Sequence, residues 1–430
     1  MARILHFADA HIDMVSQGRQ DPQTGLPLRA LDFLKALDTI IQTAIDEKVD
    51  LVLFAGDTYR DRAPAPTFQR EWGRRMVRLS QAGIPTLLLV GNHDRSPAFG
   101  RAHALQEYET LQIPHVLVAA KPCLIRPEEI GAPLQIIALP WLSRSGMVAA
   151  LGLETAKVKD INEAMEKALM ELVQGFLQEI DPTLPVVLTA HAMVQGARLG
   201  AERSLILGNE LVLPPSMVKD PRLDYVALGD IHKAQNLNGE QSFKVDPKAN
   251  RSNHPPVIYP GSIERVDFGE ADDDKYFVIV DVQHGSAQVS WRKLAGRAFI
   301  DCACNLTDHK GTMDAAAVQA AIMAVLPPAE KIAGAMLRLV VTYPRELETL
   351  IDETAIRHYA EPAFEFHFLR HPQIEARFRL PEGRVLASAS PLELLEMYWD
   401  TMKTSPEEKQ ALQSLAAEVI AGETKESDLI

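Results

Sequence analysis

Five short apolar runs, each closed by residues of the kind that bind metal ions, constrain this chain more than any other feature. Ile4–Ala8, Leu51–Ala55, Thr86–Val90, Val186–Ala190 and Tyr225–Leu228 are mostly apolar and partly β-branched. That is the composition of strands buried on both faces. Between them Leu31, Leu34, Leu37 and Ile41 recur at helical spacing, and Ile161, Met165, Leu169, Leu172 and Phe176 repeat the theme. Such alternation of strand and helix predicts an α/β domain.

The residues that close the runs are chemically specific. Asp9 and His11 come after the first, Gly56-Asp57 after the second and Gly91-Asn92-His93-Asp94 after the third. His191 closes the fourth, and Gly229-Asp230-Ile231-His232 the fifth. In open α/β sheets, sites form beyond the carboxyl ends of strands, so these distant residues can converge there. A single Asp or His at such a place is most simply a turn, cap or surface residue. Five strand ends in one chain, all bearing ligand types, exceed what turn chemistry supplies. Asp9, His11, Asp57, Asn92, His191, Asp230 and His232 are too many mixed N/O donors for one ion. They suit two metals sharing a carboxylate, the arrangement that activates water and neutralises phosphate oxygens for in-line displacement at phosphorus. Carboxylate, amide and imidazole donors favour manganese, magnesium, iron or zinc over copper. His93 is then left to stabilise the transition state or protonate the leaving oxygen, with Asp94 placed to orient its ring.

The 430 residues are enough for two or three domains at ~150 residues each. From Val257 to Trp291 the helical pattern gives way to strands and turns that close a first domain over residues 1–295. Residues 296–376 carry a strand at Ala298–Leu306, a helix over Asp314–Val325 and strands at Met336–Thr342 and Phe364–Phe368. Residues 377–389, with Pro381 and Gly383, are expected as a linker. In the remainder, 390–430, Ser390-Pro391-Leu392-Glu393 and Ser405-Pro406-Glu407-Glu408 are two S-x-x-E capping boxes with Pro at the first helical position. Leu392, Leu395, Trp399 and Met402 line one amphipathic helix, and Leu412, Leu415 and Val419 the next. Two such helices either dock on their own domain or receive a partner's helices.

Composition narrows the class. Three cysteines, Cys123, Cys302 and Cys304, form no C-x-x-C pair, which excludes a disulfide framework and a thiolate zinc site. Cys302 and Cys304 read as ordinary side chains on one strand face. No signal-peptide pattern opens the chain and no apolar run approaches ~18 residues, so a cytoplasmic protein with no membrane span is expected. The net charge of −14 lowers the expectation of a nucleic-acid partner, although a local basic groove is compatible with it. Arg70, Arg74 and Arg78 form a basic helical stripe, read first as a solvated face and otherwise as a phosphate-contacting or dimer edge. Asp272-Asp273-Asp274 reads as a solvated turn.

The ordered motifs D-x-H, G-D, G-N-H-D, a lone His and a final G-x-x-H resemble those of the calcineurin-like metallophosphoesterases. Leu228-Gly229-Asp230-Ile231-His232-Lys233, Tyr259-Pro260-Gly261-Ser262-Ile263-Glu264-Arg265 and the two-helix tail are similar to the SbcD-type DNA double-strand-break repair nucleases. The likeness is dense over the first 270 or so residues and a matter of layout beyond them. It implies a two-sheet sandwich flanked by helices, followed by a small α+β capping domain over a DNA groove. It implies two metal ions, usually manganese: Asp9, His11, Asp57 and His232 on the first, and Asp57, Asn92, His191 and position 230 on the second. His93 would be catalytic. It further implies that the tail helices bind the coiled coil of an SbcC-type ATPase, and that a homodimer forms through helices near 67–81 and 97–110. The family's activities are double-strand exonuclease and single-strand endonuclease.

One position departs from that pattern. Where the family reads G-H-x-H, this chain has Asp230 in place of the first histidine. Three readings stay open: an alternative oxygen ligand, a weakened or displaced second metal, and a substitution introduced to impair activity. Two other functions stand beside the nuclease. One is a phosphoesterase of small nucleotides or phosphoproteins, which needs no partner helices. The other is a catalytically impaired scaffold that holds DNA for the ATPase.

Overall fold

The expected strands form, and both their faces are covered. The computed structural model of the chain describes residues 1–15, 19–95, 101–152, 158–200, 212–238, 254–307, 313–373, 390–401 and 404–426. These divide into two compact units, Met1–Ile300 with Gly334–Met336, and Asp301–Ala333 with Leu337–Ile430.

The first unit holds two six-stranded sheets. One runs in the spatial order Ser286–Lys293, Tyr276–Gln283, Ala2–Phe7, Leu51–Phe54, Thr86–Leu89, Val116–Ala119. Its last four strands are parallel and its first two antiparallel. The other runs Gln235–Asn236, Val257–Tyr259, Tyr225–Gly229, Val186–His191, Gln135–Leu139, Cys123–Ile125. Its four inner strands are parallel and its two edges antiparallel.

Period-two alternation sorts each strand's side chains between two apolar layers. Ile4, Leu51, Leu53, Leu87 and Leu89 of the first sheet meet Ile136, Val187, Tyr225 and Ala227 of the second. On the far side Leu5, Phe7, Val52, Phe54 and Leu88 pack under the helices Leu28–Asp46 and Pro66–Gln81, with Phe33, Leu37, Trp72 and Leu79. Leu188, Ala190, Val226 and Leu228 take Leu169, Val173 and Leu177 of the helix Val158–Glu179. The unit is thus a two-sheet α/β sandwich flanked by helices. Because the inner strands are buried on both faces, the sequence runs are mostly apolar and show no regular polar alternation.

The basic stripe is paired, though not neutralised, within the same unit, because Glu71 and Asp38 are shared among its arginines and Arg75. Arg70 and Arg74 both pair with Glu71, at 3.0 and 2.9 Å, and Arg78 pairs with Asp38 at 2.8 Å. The expected helix near 97–110 is shorter in the described residues. Only Gln106–Leu111 is helical, and the Ala104 N–H bonds back to the Asp94 carbonyl at 2.8 Å, which takes it out of a helical ladder. Residues 97–100 lie outside the described residues.

The second unit is built on a three-stranded sheet of Phe299–Asn305, Met336–Pro344 and Glu365–Gln373. The helix Ala315–Ala324 starts at Asp314, whose side chain accepts the Ala317 N–H. Cys302 and Cys304 are buried on one strand face. In the tail, the helix Pro391–Thr401 carries its full capping box, and the helix Pro406–Glu426 carries the Ser405 half of the second. The Glu393 N–H donates to Ser390 Oγ, and the Ser390 N–H donates to Glu393 Oε2 at 2.7 Å. The Glu408 N–H donates to Ser405 Oγ. The expected linker at 377–389 and Met402 lie outside the described residues. Among the described residues no helix is long and apolar enough to cross a membrane.

Candidate metal centre

Parallel pairing sets the strand ends of the first unit level. Phe7 pairs with Phe54, and His191 with Gly229. Turns beyond those ends must then carry chemistry rather than continue the sheet. Four ligand-type residues there adopt left-handed backbone: Asp9 (φ 49°), His11 (39°), Asp57 (65°) and Asp230 (90°). That region is disfavoured for side chains other than glycine and persists where surrounding contacts over-determine it. Those contacts are present. The Asp9 N–H donates to the Gly56 carbonyl at 3.0 Å, and the Ala10 N–H to the Asp57 carbonyl at 2.8 Å. The Asp230 N–H donates to Asp9 Oδ1 at 3.1 Å.

Close approach is also needed. A Cβ on Gly91 would stand 2.1 Å from Asp57 Oδ1 and 2.6 Å from the Asp57 nitrogen. Glycine there lets the third turn lie against the second.

The donors converge as two overlapping groups, Asp9–His11–His232 and Asp9–Asp57–His191, the ligand atoms of each lying within 4.8 Å of one another. His191 Nε2 is 3.2 Å from Asn92 Oδ1, 3.4 Å from Asp57 Oδ1 and 3.6 Å from Asp230 Oδ1. His11 Nε2 is 3.0 Å from His232 Nε2 and 3.8 Å from Asp57 Oδ2. All seven ligand-type residues therefore stand at one place. The far ring nitrogens are held from behind: His11 Nδ1 faces the Tyr59 carbonyl at 3.2 Å and His191 Nδ1 the Ala55 carbonyl at 2.7 Å.

Buried Asp9 and Asp57, the less enclosed Asp230 and three imidazoles in one cluster tie their charges together. Burial and neighbouring Asp57 push Asp9 up to about 6, against the pull of His191 and His232. Burial alone would raise Asp57, but His191 holds it well below the usual carboxylate range. Burial and His232 push His11 down to about 3. Burial would lower His191, yet Asp57, Asp230 and Asp9 carry it well above its ordinary value.

The donor set fits a cation pair by its own chemistry. Asp9 Oδ2 is fully buried with no hydrogen-bond partner among the described residues, a cost of several kcal/mol for a lone carboxylate oxygen unless a cation takes it. Oxygen and imidazole donors without thiolate suit hard or borderline divalent ions.

His93 and Asp94 separate in role. His93 Nδ1 faces the Arg60 carbonyl at 2.6 Å, so a main-chain oxygen orients the ring. The expectation that Asp94 does so is corrected. Its carboxylate is turned inward and accepts the N–H groups of Asp57 (3.0 Å), Thr58 (2.9 Å) and Gly91 (2.9 Å). Burial and Asp57 push Asp94 up to about 6.

Three groups at the centre escape a reading of the sequence. Asp13 accepts the N–H groups of Arg60 and Asp61, at 2.6 and 2.9 Å, and so fixes the carbonyl that His93 meets. Glu270 meets His232 Nδ1 at 2.8 Å, and Lys275 pairs with Glu270 at 2.6 Å. No spacing marks them, since Glu270 and Lys275 flank the acidic turn. In that turn Asp273 and Asp274 pair with Lys233 and Lys293, as a solvated turn does.

The pattern of the calcineurin-like phosphoesterases matches residues 2–234, which carry every ligand-type residue of the centre. The SbcD component of the SbcCD nuclease of Escherichia coli K12 is 24% identical over 297 residues, covering 66% of either chain. Its counterpart in Rhodobacter capsulatus is 28% identical over 252 residues, 55% of this chain and 59% of that one. The DNA double-strand break repair protein Mre11 of Halobacterium salinarum is 43% identical over 94 residues, 22% of either chain. The chain thus spans 66% and 59% of the length of these two SbcD proteins, less than two thirds of either.

Proposed function

Because the chain belongs to the calcineurin-like phosphoesterase family, we propose that it is a dimetal DNA nuclease of double-strand-break repair. The observation that carries this reading is the convergence of His11, Asp57, His191 and His232 on Asp9, with Asn92 and Asp230 beside His191 and a buried Asp9 Oδ2 that has no hydrogen-bond partner among the described residues. The likeness to SbcD and Mre11 supports DNA as the substrate.

Asp9, His11, Asp57 and His232 would hold one cation, and Asp57, Asn92, His191 and Asp230 the other, with Asp57 shared. Two divalent ions, most simply Mn2+, supply when bound the positive charge that neutralises phosphate oxygens and acidifies a water for in-line attack. The chain's own residues do the rest. Asp57 presents Oδ1 to His191 and Oδ2 to His11, and its backbone N–H is tied to Asp94. With Nδ1 donating to the Arg60 carbonyl, it is the doubly protonated His93 ring that has on Nε2 a proton for a leaving oxygen, and the neutral ring that accepts there. Asp230 serves as an oxygen ligand in place of an imidazole.

The partner reading extends to the tail. On the helix Pro406–Glu426, Leu412, Leu415 and Val419 are exposed. An exposed apolar stripe of this kind supports docking to an SbcC-type ATPase. We assign the homodimer contact to the helix Pro66–Gln81 and the region around Gln106–Leu111, and the protein to the cytoplasm. Exonuclease action on double strands and endonuclease action on single strands complete the proposal.

The test is cleavage of end-labelled single- and double-stranded DNA in Mn2+, with a chelated control. Chelator-sensitive cutting is expected. No cutting by the protein or by Asp230→His, beside intact hydrolysis of a small phosphodiester, would move the assignment to another phosphoesterase substrate.

A further inference from the structure

His232 differs from the two other ligand-type imidazoles in what holds its far nitrogen. His11 and His191 lean on backbone carbonyls, whereas His232 Nδ1 lies 2.8 Å from a carboxylate oxygen, Glu270 Oε1. Glu270 is 1% exposed, and its other oxygen receives the Lys275 ammonium at 2.6 Å and the Val266 N–H at 3.0 Å. Lys275 is equally enclosed and also donates to Ser262 Oγ at 2.8 Å and to the His232 carbonyl at 3.2 Å. A buried ammonium and carboxylate are costly unless paired and fully hydrogen-bonded. Here each bond of the pair ends on His232 or on the segment beside it.

That segment is Gly261-Ser262-Ile263-Glu264-Arg265-Val266, which lies beyond residues 2–234 and supplies no ligand. Gly261 has φ +83°, and a Cβ there would stand 2.5 Å from the His232 carbonyl. Glycine lets the stretch run directly against the histidine's backbone, and the Ser262 N–H donates to that same carbonyl at 3.2 Å.

We propose that Glu270, ion-paired to Lys275, is the positioning residue of His232. It keeps an imidazole proton on Nδ1 and turns Nε2 toward Asp9 and His11. With an ammonium and an N–H on its second oxygen, Glu270 is ionised and can only accept, so the shared proton belongs to Nδ1. An anionic partner behind an imidazole also makes its open nitrogen more basic toward a metal, and losing such a partner weakens metal binding about 10–100-fold. The cation-binding part of this inference rests on the proposed dimetal centre.

Two measurements test it. The side-chain 15N shifts of His232 in the metal-free protein report the tautomer directly, and Nδ1–H is expected. Calorimetric titration with Mn2+ then compares the wild type with the double variant Glu270→Gln/Lys275→Met, which removes both charges and leaves no lone buried ion. One of two Mn2+ sites is expected to weaken about 10–100-fold, with the other unchanged. An Nε2–H tautomer in the wild type overturns the proposal, as do two wild-type affinities in the folded double variant. If that variant does not fold, the wild-type tautomer alone decides. Absence of Mn2+ uptake by the wild type overturns the dimetal centre and with it the ligand role, while the nitrogen shifts still read the tautomer lock.

Discussion

His11 Nε2 lies 3.0 Å from His232 Nε2, two ring nitrogens brought together across 221 residues of sequence. Each ring's Nδ1 points at an oxygen, of Tyr59 in one case and Glu270 in the other. With each Nδ1 proton given to its oxygen, the two Nε2 lone pairs face one another, and the contact is favourable only when a shared proton or a cation lies between them. A divalent cation answers that need without a proton.

Mn2+ should therefore raise the Tm in a concentration-dependent way, by ~2.7 kcal/mol of stability at a hundredfold excess over Kd. His11→Ala and His232→Ala should lose most of that gain. Differential scanning calorimetry with and without chelator measures it, and a Tm indifferent to Mn2+ would end the metal reading.

His93 faces the Arg60 carbonyl rather than a carboxylate. His93→Ala should leave two cations bound while DNA cleavage falls roughly 10²–10⁴-fold, the usual contribution of a placed acid. Metal stoichiometry and cleavage rate are measured on the same sample. Undiminished cleavage removes His93 from the mechanism.

Asp94 acts on the backbone. Asp94→Ala strands three buried N–H groups, those of Asp57, Thr58 and Gly91. At about 1–3 kcal/mol for each unsatisfied buried donor, the variant should unfold at clearly lower urea concentration. An unaltered midpoint with lost activity would restore a direct catalytic role.

Gly91 has no room for a side chain. Gly91→Ala must displace Asp57, which stands 2.1 Å from the added Cβ. The expected result is a folded chain with weakened uptake of both cations, since Asp57 is shared between them. Wild-type Mn2+ isotherms from this variant would show that Asp57 is not the bridge.

His6 supplies a pH signature independent of the metal centre. It lies between the sheets with Nδ1 2.8 Å from the Tyr225 hydroxyl, and burial pushes it down to about 3. An unfolded histidine titrates near ~6.5. Between those values the unfolded chain binds a proton that the folded chain refuses, so stability falls as pH drops from about 6.5 toward 3 and is flat above. The loss reaches at most about 5 kcal/mol. His6→Asn cannot titrate and should flatten that part of the acid limb in urea titrations at stepped pH. An unchanged slope would assign the acid loss to carboxylates instead.

Much of this molecule was legible in its sequence because local chemistry wrote it there. Apolar runs such as Leu51–Ala55 specify buried strands, Ser390 with Glu393 specifies a helix start, and ligand types after five runs announce a site at strand ends. What the sequence could not say is which side chains meet at that end. That Asp94 turns inward to three N–H groups, that Glu71 and Asp38 pair with the arginine stripe, and that Glu270 reaches His232 depend on how the sheets register and the turns fold across each other. Backbone periodicity and turn propensity are properties of neighbours in sequence. Contact between residues tens to hundreds of positions apart is decided only when packing selects one register from many, and it is those contacts that hold the centre's donors in place.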